Sequence, residues 1–542
     1  MHGRSDEHLT DGRGNGQVVL MFRVLPAFLW ACFLGIAVSD TWASRYAPED
    51  WVSYTDLRHI SSLAADIRHV YMGTKQGVAV FDRISGKWTY SITTGDGLPG
   101  ESVELVGIDK YTGRVLVSSG MSIHSMERDT ETWQSYSVQG AVGEFTSMGA
   151  DLDYIWAEAE DTKIRFDKMT GSWQPVNDLP EDIEWFGRRG EVNIEEPQYS
   201  FLAPFYVLGP SLERYDYTCA VRWEKSIWLG TSGLGAFEYD MLTHTAKHHL
   251  MGIAGGTASA LCLDGEDFWF GSGGPATQGI TRWEREKDRW TYYSKETEFG
   301  ILSNRVSAIA SDSEYVWIGT EEGLTRFRKG NSTFHTYTLF DGLPASEVTA
   351  VLAIGDSVWI GTSLGPCVSG RSLWSPNKFD ELRTWVNDLL VLGDTLWAAT
   401  EDGVFVMDIS SGRWSELEYP EGLAGLSTSS LLADGEKIWF GTWRGVLSLD
   451  TRSGIWGRFT SPIHLPDERV LALAADSHNV WVGTVSGVAQ LVKESSEWHK
   501  YGLSDGLISE QVSAIVCTRD HVYFGTSKGV TRHYWRNPFT VR

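Results

Sequence analysis

The residues in this 542-residue chain whose types and spacing suit chemistry are side chains that each stand just before an apolar segment: His59, Ser102, Arg305, Glu347, Trp385, Arg469 and Gln511. Mixed donors and acceptors, with an indole to stack on, are what a small polar ligand needs. The alternative is that they merely face water. Two further sets sit in loops. Trp443 and Arg444 put an aromatic and a cation at the tip of a turn, which suits contact with a ligand or a partner, or packing against the next loop. Trp185, Phe186, Arg188 and Arg189 lie in a stretch that breaks the pattern of the chain, and are candidates to cap a binding mouth or to seal a seam.

Signatures of catalysis are missing from the sequence. No nucleophile elbow or phosphate-cradling Gly-rich loop stands on a strand–helix turn, and there is no H-E-x-x-H. His248 and His249 are the one adjacent His pair, and on a strand they point to opposite faces, which argues against a shared metal. The acid pairs Glu321-Glu322 and Glu401-Asp402 fall at turn positions and read as solvated. Binding without catalysis is therefore expected, with no cofactor and no metal. A lyase or glycoside hydrolase is the enzymatic alternative; the latter needs two carboxylates at a set separation, which a sequence does not show.

What positions these residues is a repeat. W-x-G-T recurs as WLGT at Trp228, WIGT at Trp317 and Trp359, WFGT at Trp439 and WVGT at Trp481, with variants at Tyr71, Trp269, Trp397 and Tyr523 and degenerate copies at Leu116 and Trp156. From Trp317 onward the copies are spaced 42, 38, 42, 42 and 42 residues apart. Each repeat holds four short strands. Strand A is apolar (348–354), strand B carries W-x-G-T, strand C follows a T-x-x-G turn (323–328), and strand D often carries Trp (413–419). Strand A starts eleven residues before the strand B aromatic at Ile60, Val306, Val348, Val470 and Val512. The C–D turn reads D-x-x-[ST]-G-x-W at 82–88, 167–173, 408–414 and 450–456, where Asp opens the turn and Gly supplies the positive φ.

A four-stranded meander has two faces and cannot bury both alone; sheets packed face to face around an axis bury both. The fold expected is thus an all-β propeller of about eleven four-stranded blades, or twelve if 174–216 hides a degenerate one. Rings of four to eight blades are usual, so two tandem propellers are expected, at 44–300 (carrying the insertion 174–216) and 301–542, with a single large ring as the alternative. The last repeat shows no strand D. Residues 50–57 (DWVSYTDL) resemble the strand D of another repeat (497–504), so a strand near 50–55 is expected to complete the last blade.

The net charge is −25 with no basic run, which disfavours nucleic acid and anionic membranes. Outside the N-terminal run the four Cys form no C-x-x-C pair and sit mostly in apolar strands. Residues 1–20 are polar. From Met21 a cationic Arg23, an apolar run from Leu25 to Val38 and small residues up to Ala43 make a secretory signal pattern, and Met21 is a possible start. The mature chain is expected to be exported, periplasmic or extracellular, with no membrane span.

The pattern V-x-A-I-x-x-D-x-x-x-V-W-I-G-T-x-x-G-L-x-R-F, matched by Val306 to Phe327, resembles the two-component regulator propeller repeat. The D–A loop Asp-Gly-Leu-Pro at 96–99 and 341–344, and its partial copy at 505–507, fits as well. The resemblance covers about 45–535. It implies an extracytoplasmic sensor module of the kind carried by bacterial hybrid histidine kinases, which bind ligands such as glycan fragments. The sequence given stops after the last repeat without a kinase, so a separate signalling or envelope protein is the implied partner. A protein–protein scaffold at the cell surface or in the periplasm is the alternative.

Overall fold

The computed structural model describes residues 50–128, 132–138, 143–160, 162–273, 279–370, 376–379, 381–419 and 425–536. The leader expected between Met21 and Ala43 lies outside the described residues. No helix among them is long and apolar enough to cross a membrane.

Among the described residues the chain forms eleven antiparallel sheets, nine of four strands and two of five. Each holds one copy of strand B and is referred to by the first residue of its motif. In the Trp317 sheet the strands are Val306–Ser311, Tyr315–Thr320, Gly323–Arg328 and Thr333–Tyr337. Strand B is buried along its whole length because sheets cover both its faces, so its sequence is continuously apolar rather than alternating. Ile60, Val306, Val348, Val470 and Val512 each begin a strand A, as the spacing predicts. Strand D of the Trp397 sheet is shorter than expected, Arg413–Glu416. The C–D turns are structural. Asp450 Oδ1 accepts from the backbone N–H groups of Arg452 and Ser453 at 3.1 and 2.8 Å, and Gly454 takes φ 69°.

Most sheets are stitched to the next by one recurring bond, which the Trp481 sheet, with Leu471 at the donor position, does not make. The second residue of strand A donates its side chain to the first carbonyl of the next strand A. Ser259 bonds Val306 O at 2.7 Å, Thr349 bonds Val386 O at 2.5 Å, Asn387 bonds Thr428 O at 2.9 Å and Ser429 bonds Val470 O at 2.7 Å. Ser513 makes the same bond to Ala258 O at 3.1 Å, which leads the Tyr523 sheet back to the Trp269 sheet. The inner strands of the Trp269, Trp317, Trp359, Trp397, Trp439, Trp481 and Tyr523 sheets therefore follow one another in a closed circuit. The Gly of W-x-G-T marks each close approach: a Cβ on Gly361 or Gly441 would lie 2.7 Å from Val386 or Val470 of the next sheet. The strand Trp51–Tyr54 completes the Tyr523 sheet, pairing with its strand C from Trp51↔His533 to Tyr54↔Val530.

The other four sheets are ordered Trp228, Tyr71, Leu116, Trp156, with Thr218 to Ile60 O and Ser61 to Val103 O as their stitches, both 2.5 Å. The stretch 174–216 makes no sheet of its own among the described residues, so a twelfth blade is not seen there. It adds a fifth strand to each of two neighbours instead. Trp185–Gly187 pairs with the inner strand of the Trp156 sheet, and Tyr206–Leu208 with the Trp228 sheet. Phe186 is buried over Gly107, where a Cβ would come within 2.5 Å of its ring. One core cluster joins the two groups, with Tyr54, Phe81, Trp228, Phe268, Trp283 and Tyr523 among its members.

Candidate ligand-binding cleft

Arg305, Glu347, Trp385, Arg469 and Gln511 each stand just before a strand A of the seven-sheet circuit. The backbone fixes their level. The first N–H of the B–C turn bonds the carbonyl of Glu347, Trp385, Arg469 and Gln511 at 3.2–3.3 Å, so these residues share one end of the circuit. Thr257 and Ser427, which the sequence reading passed over, occupy the same position in the Trp269 and Trp439 sheets. His59 departs from the expectation. It belongs to the four-sheet group, where it bridges Ser232 with Nδ1 3.1 Å from that carbonyl. Register within a repeat is the same in both groups, so spacing alone did not separate it.

Several of these groups already have partners. Arg469 grips Asp467 through Nε and Nη2 at 3.1 and 3.2 Å, and Arg305 reaches Glu321 at 3.4 Å. Trp443 is 61% exposed at its turn, and with Ser461, Asp467, Glu468 and Arg469 it lines an open cleft of about 390 Å³. Arg444, beside it, is exposed. Trp185 and Arg188 lie with the four-sheet group. Trp185 donates Nε1 to Pro180 O at 2.9 Å within the insertion, and Arg188 bonds Thr146 through its backbone.

A larger concavity than this one lies elsewhere. A cleft of about 900 Å³ opens between the Trp228 sheet and strand D of the Trp269 sheet. One wall is Leu208, Glu213 and Tyr215 of the insertion with Phe237 and His248 of the sheet; the other is Thr291, Tyr292 and the loop 294–304. Phe237 and His248 stack with ring centres 4.3 Å apart and planes parallel. His248 is an exposed side chain of the cleft wall; its Nε2 donates to Leu234 O at 2.5 Å, and partial desolvation by the neighbouring groups lowers its pKa. His249 points the other way, buried against Phe81 and Trp228, so the His pair splits across the strand as expected.

The cleft floor is a closed polar set. Arg58 grips Asp56 through Nε and Nη2 at 2.9 and 2.7 Å and lies over the Tyr292 ring at 5.1 Å. Burial pushes the Asp56 carboxyl up, but the Arg58 pairing and backbone N–H groups outweigh it and hold its pKa below the ordinary value. Tyr292 donates to Gly252 O at 3.0 Å, and burial raises its phenol pKa far above the usual range. The charged Arg58 is thus committed to Asp56, and the carboxylates Glu213 and Glu296 dominate the rim. Such a site favours a neutral polar ligand over an anion. The repeat pattern gave no sign of these residues, because they come from the insertion and from strand D; the break in periodicity at 174–216 was the one available signal.

No family model matches the chain, and no curated protein matches it. Solved structures do. PorZ, an essential bacterial surface component of the type-IX secretion system of Porphyromonas gingivalis, is similar at 12% identity with a TM-score of 0.58, covering 90% of this chain and 87% of that one. The extracellular domain attributed to the hybrid two component system BT4673 of B. thetaiotaomicron is 15% identical, with a TM-score of 0.47, over 89% of this chain and 71% of that one. The one attributed to BT3049 is 17% identical, with a TM-score of 0.46, over 87% of this chain and 61% of that one. At these identities the likeness is one of fold: the chain is an all-β protein of many four-stranded antiparallel sheets, as β-propellers are.

Proposed function

We propose that this is an exported, ligand-sensing protein of two tandem propellers, and that its ligand binds in the cleft between the Trp228 and Trp269 sheets. The cleft carries the reading: about 900 Å³ lies within the ~300–1,000 Å³ range of small-molecule sites, and aromatic walls with a few polar groups are their usual lining. A neutral polar ligand, such as a glycan fragment, fits stacked rings beside carboxylates and hydroxyls. The circuit closed by Ser513 on Ala258 supports one propeller of seven blades, and the domain boundary then falls ahead of Ala258 rather than near residue 300. The four-sheet group with its insertion is the second. Export rests on the leader-like pattern up to Ala43, and the role is binding rather than turnover.

The test is thermal stability of the protein against a panel of neutral oligosaccharides, amino sugars and polar metabolites. A ligand at 100 times its Kd adds about 2.7 kcal/mol to the native state. Tyr215→Ala and Glu296→Gln are expected to abolish the shift; a shift that survives both excludes this cleft. A second reading, favoured by the exposed indole of Trp443 beside Arg469, puts the ligand at the mouth of the seven-sheet circuit. There Trp443→Ala and Arg469→Ala abolish the shift instead.

A further inference from the structure

On the seven-sheet circuit, two neighbouring D–A loops put aromatic rings into solvent. Phe299 and Phe340 are each 101% exposed, and Leu302 and Leu339 beside them are 49% and 52% exposed. Neither loop is loose. In 294–304 the Asn304 side chain closes the loop, accepting from Lys295 N–H at 2.8 Å and donating to Glu296 at 2.7 Å. Ile301 anchors it in the core. In 338–343 the Thr338 and Asp341 side chains cap a short 3-10 turn, and Gly342 ends it at φ 102°. Thr336 Oγ1, on the strand that leads into the second loop, bonds Gly300 O of the first at 2.6 Å.

Loop geometry does not require the aromatics. The same capped turn recurs at 93–97 and 502–506, and the position of Phe340 is there Gly95 and Ser504. An aromatic held in water on a rigid turn, next to a second one, is a surface made for contact. Its rim is acidic. Glu296, Glu298, Glu321, Glu322, Asp341 and Glu347 stand against Lys295 and Arg305. A second copy of this acidic chain would bring like charges together; a partner with basic residues around an apolar groove would not.

We infer that Phe299, Leu302, Leu339 and Phe340 form a docking surface for a partner protein that presents an apolar groove flanked by Lys and Arg. The surface is continuous with the cleft, since Ser294, Glu296, Thr297 and Asn304 of the same loop line it. Resting on the function proposed above, loop 294–304 is then the element through which an occupied cleft alters the partner's hold.

The experiment uses the full chain and, as probe, a 16-residue amphipathic peptide of Leu and Lys, with its Leu and Glu counterpart as control. The Leu/Lys peptide is expected to bind, and Phe299→Ser with Phe340→Ser to weaken it tenfold or more at unchanged melting temperature. Leu503→Ser, at another D–A loop, leaves binding unchanged. Equal binding by the double variant overturns the inference, as does equal binding of the Leu/Glu peptide. Sedimentation showing a dimer that the double variant loses overturns it in favour of a second copy. The ligand-induced thermal shift is read separately. Its absence in the unsubstituted protein removes the cleft reading and leaves the docking surface to the peptide result.

Discussion

Trp51 and His533 stack across the seam between the first and last strands of the fold, with ring centres 4.1 Å apart and planes at 23°. They are register partners, and His533 Nδ1 lies 3.2 Å from Asp50 O. Burial lowers the His533 pKa to about 3. A lowered His pKa means that the unfolded chain takes up a proton near pH 6.5 and the folded chain does not. The stability this residue contributes is present above pH 6.5 and is lost as pH falls toward 3. Urea midpoints measured from pH 8 to pH 4 are expected to fall, and His533→Phe to flatten that fall. Trp51→Ala costs about 3–5 kcal/mol at neutral pH.

Asp388 gives the opposite slope. It is half-buried at the stitch between the Trp397 and Trp439 sheets, where its carboxylate accepts from Leu389 and Leu431 N–H, both at 2.8 Å. Burial raises its pKa to about 6. The contribution is therefore full below about pH 4 and lost as pH rises through 6. In two other sheets the same position is Ser62 and Ser430, whose hydroxyls accept the equivalent N–H at 3.2 Å. Asp388→Ser is expected to stabilise the protein at pH 8, by up to about 3 kcal/mol at ~1.4 kcal/mol per pKa unit, and to do little at pH 4. Paired denaturation curves at the two pH values check this.

Gly361 has no room for a methyl group, with Val386 and Ala350 at 2.7 and 3.0 Å from the Cβ position. Gly361→Ala is expected to cost about 1–3 kcal/mol through overpacking. Gly330 has nothing within 4 Å and no positive φ, so Gly330→Ala is neutral or stabilising by up to ~1 kcal/mol. Thermal melts of the two variants separate close approach from backbone freedom.

Three lysines clamp neighbouring sheets. Lys493 bonds Asp434 Oδ1 and Asp476 O, both at 2.6 Å; Lys329 does the same with Asp264 and Asp312 O, and Lys168 with Asp109 and Asp151 O. Lys493→Met leaves both oxygens unmet and is expected to cost about 1–2 kcal/mol, discounted because the pair is a quarter exposed. The three substitutions fall in different sheets, so their costs should add in urea titrations.

Local order was legible because each repeat restates it. Strand starts at Ile60, Val306, Val348, Val470 and Val512 and the Asp-opened turns follow from short-range spacing, and the strand that completes the Tyr523 sheet was legible because 50–57 matches a strand D elsewhere. The order of the sheets was not. That the Tyr523 sheet returns to the Trp269 sheet is decided by Ser513 and Ala258, and nothing in either residue names its partner. The same holds for the site. Arg305, Glu347, Trp385, Arg469 and Gln511 were placed by register, whereas Tyr215, Phe237, Tyr292 and Glu296 meet in one cleft from segments with no common motif. Phe299 and Phe340 looked like ordinary loop residues until their exposure was known.

The pairing of Trp51–Tyr54 with Gly529–Tyr534 also sets an order of events. During synthesis Trp51–Tyr54 has no sheet partner until Gly529–Tyr534 has followed it. Until then the growing chain carries an apolar ribbon with both edges open, together with an incomplete circuit. Final closure is thus a late, long-range step.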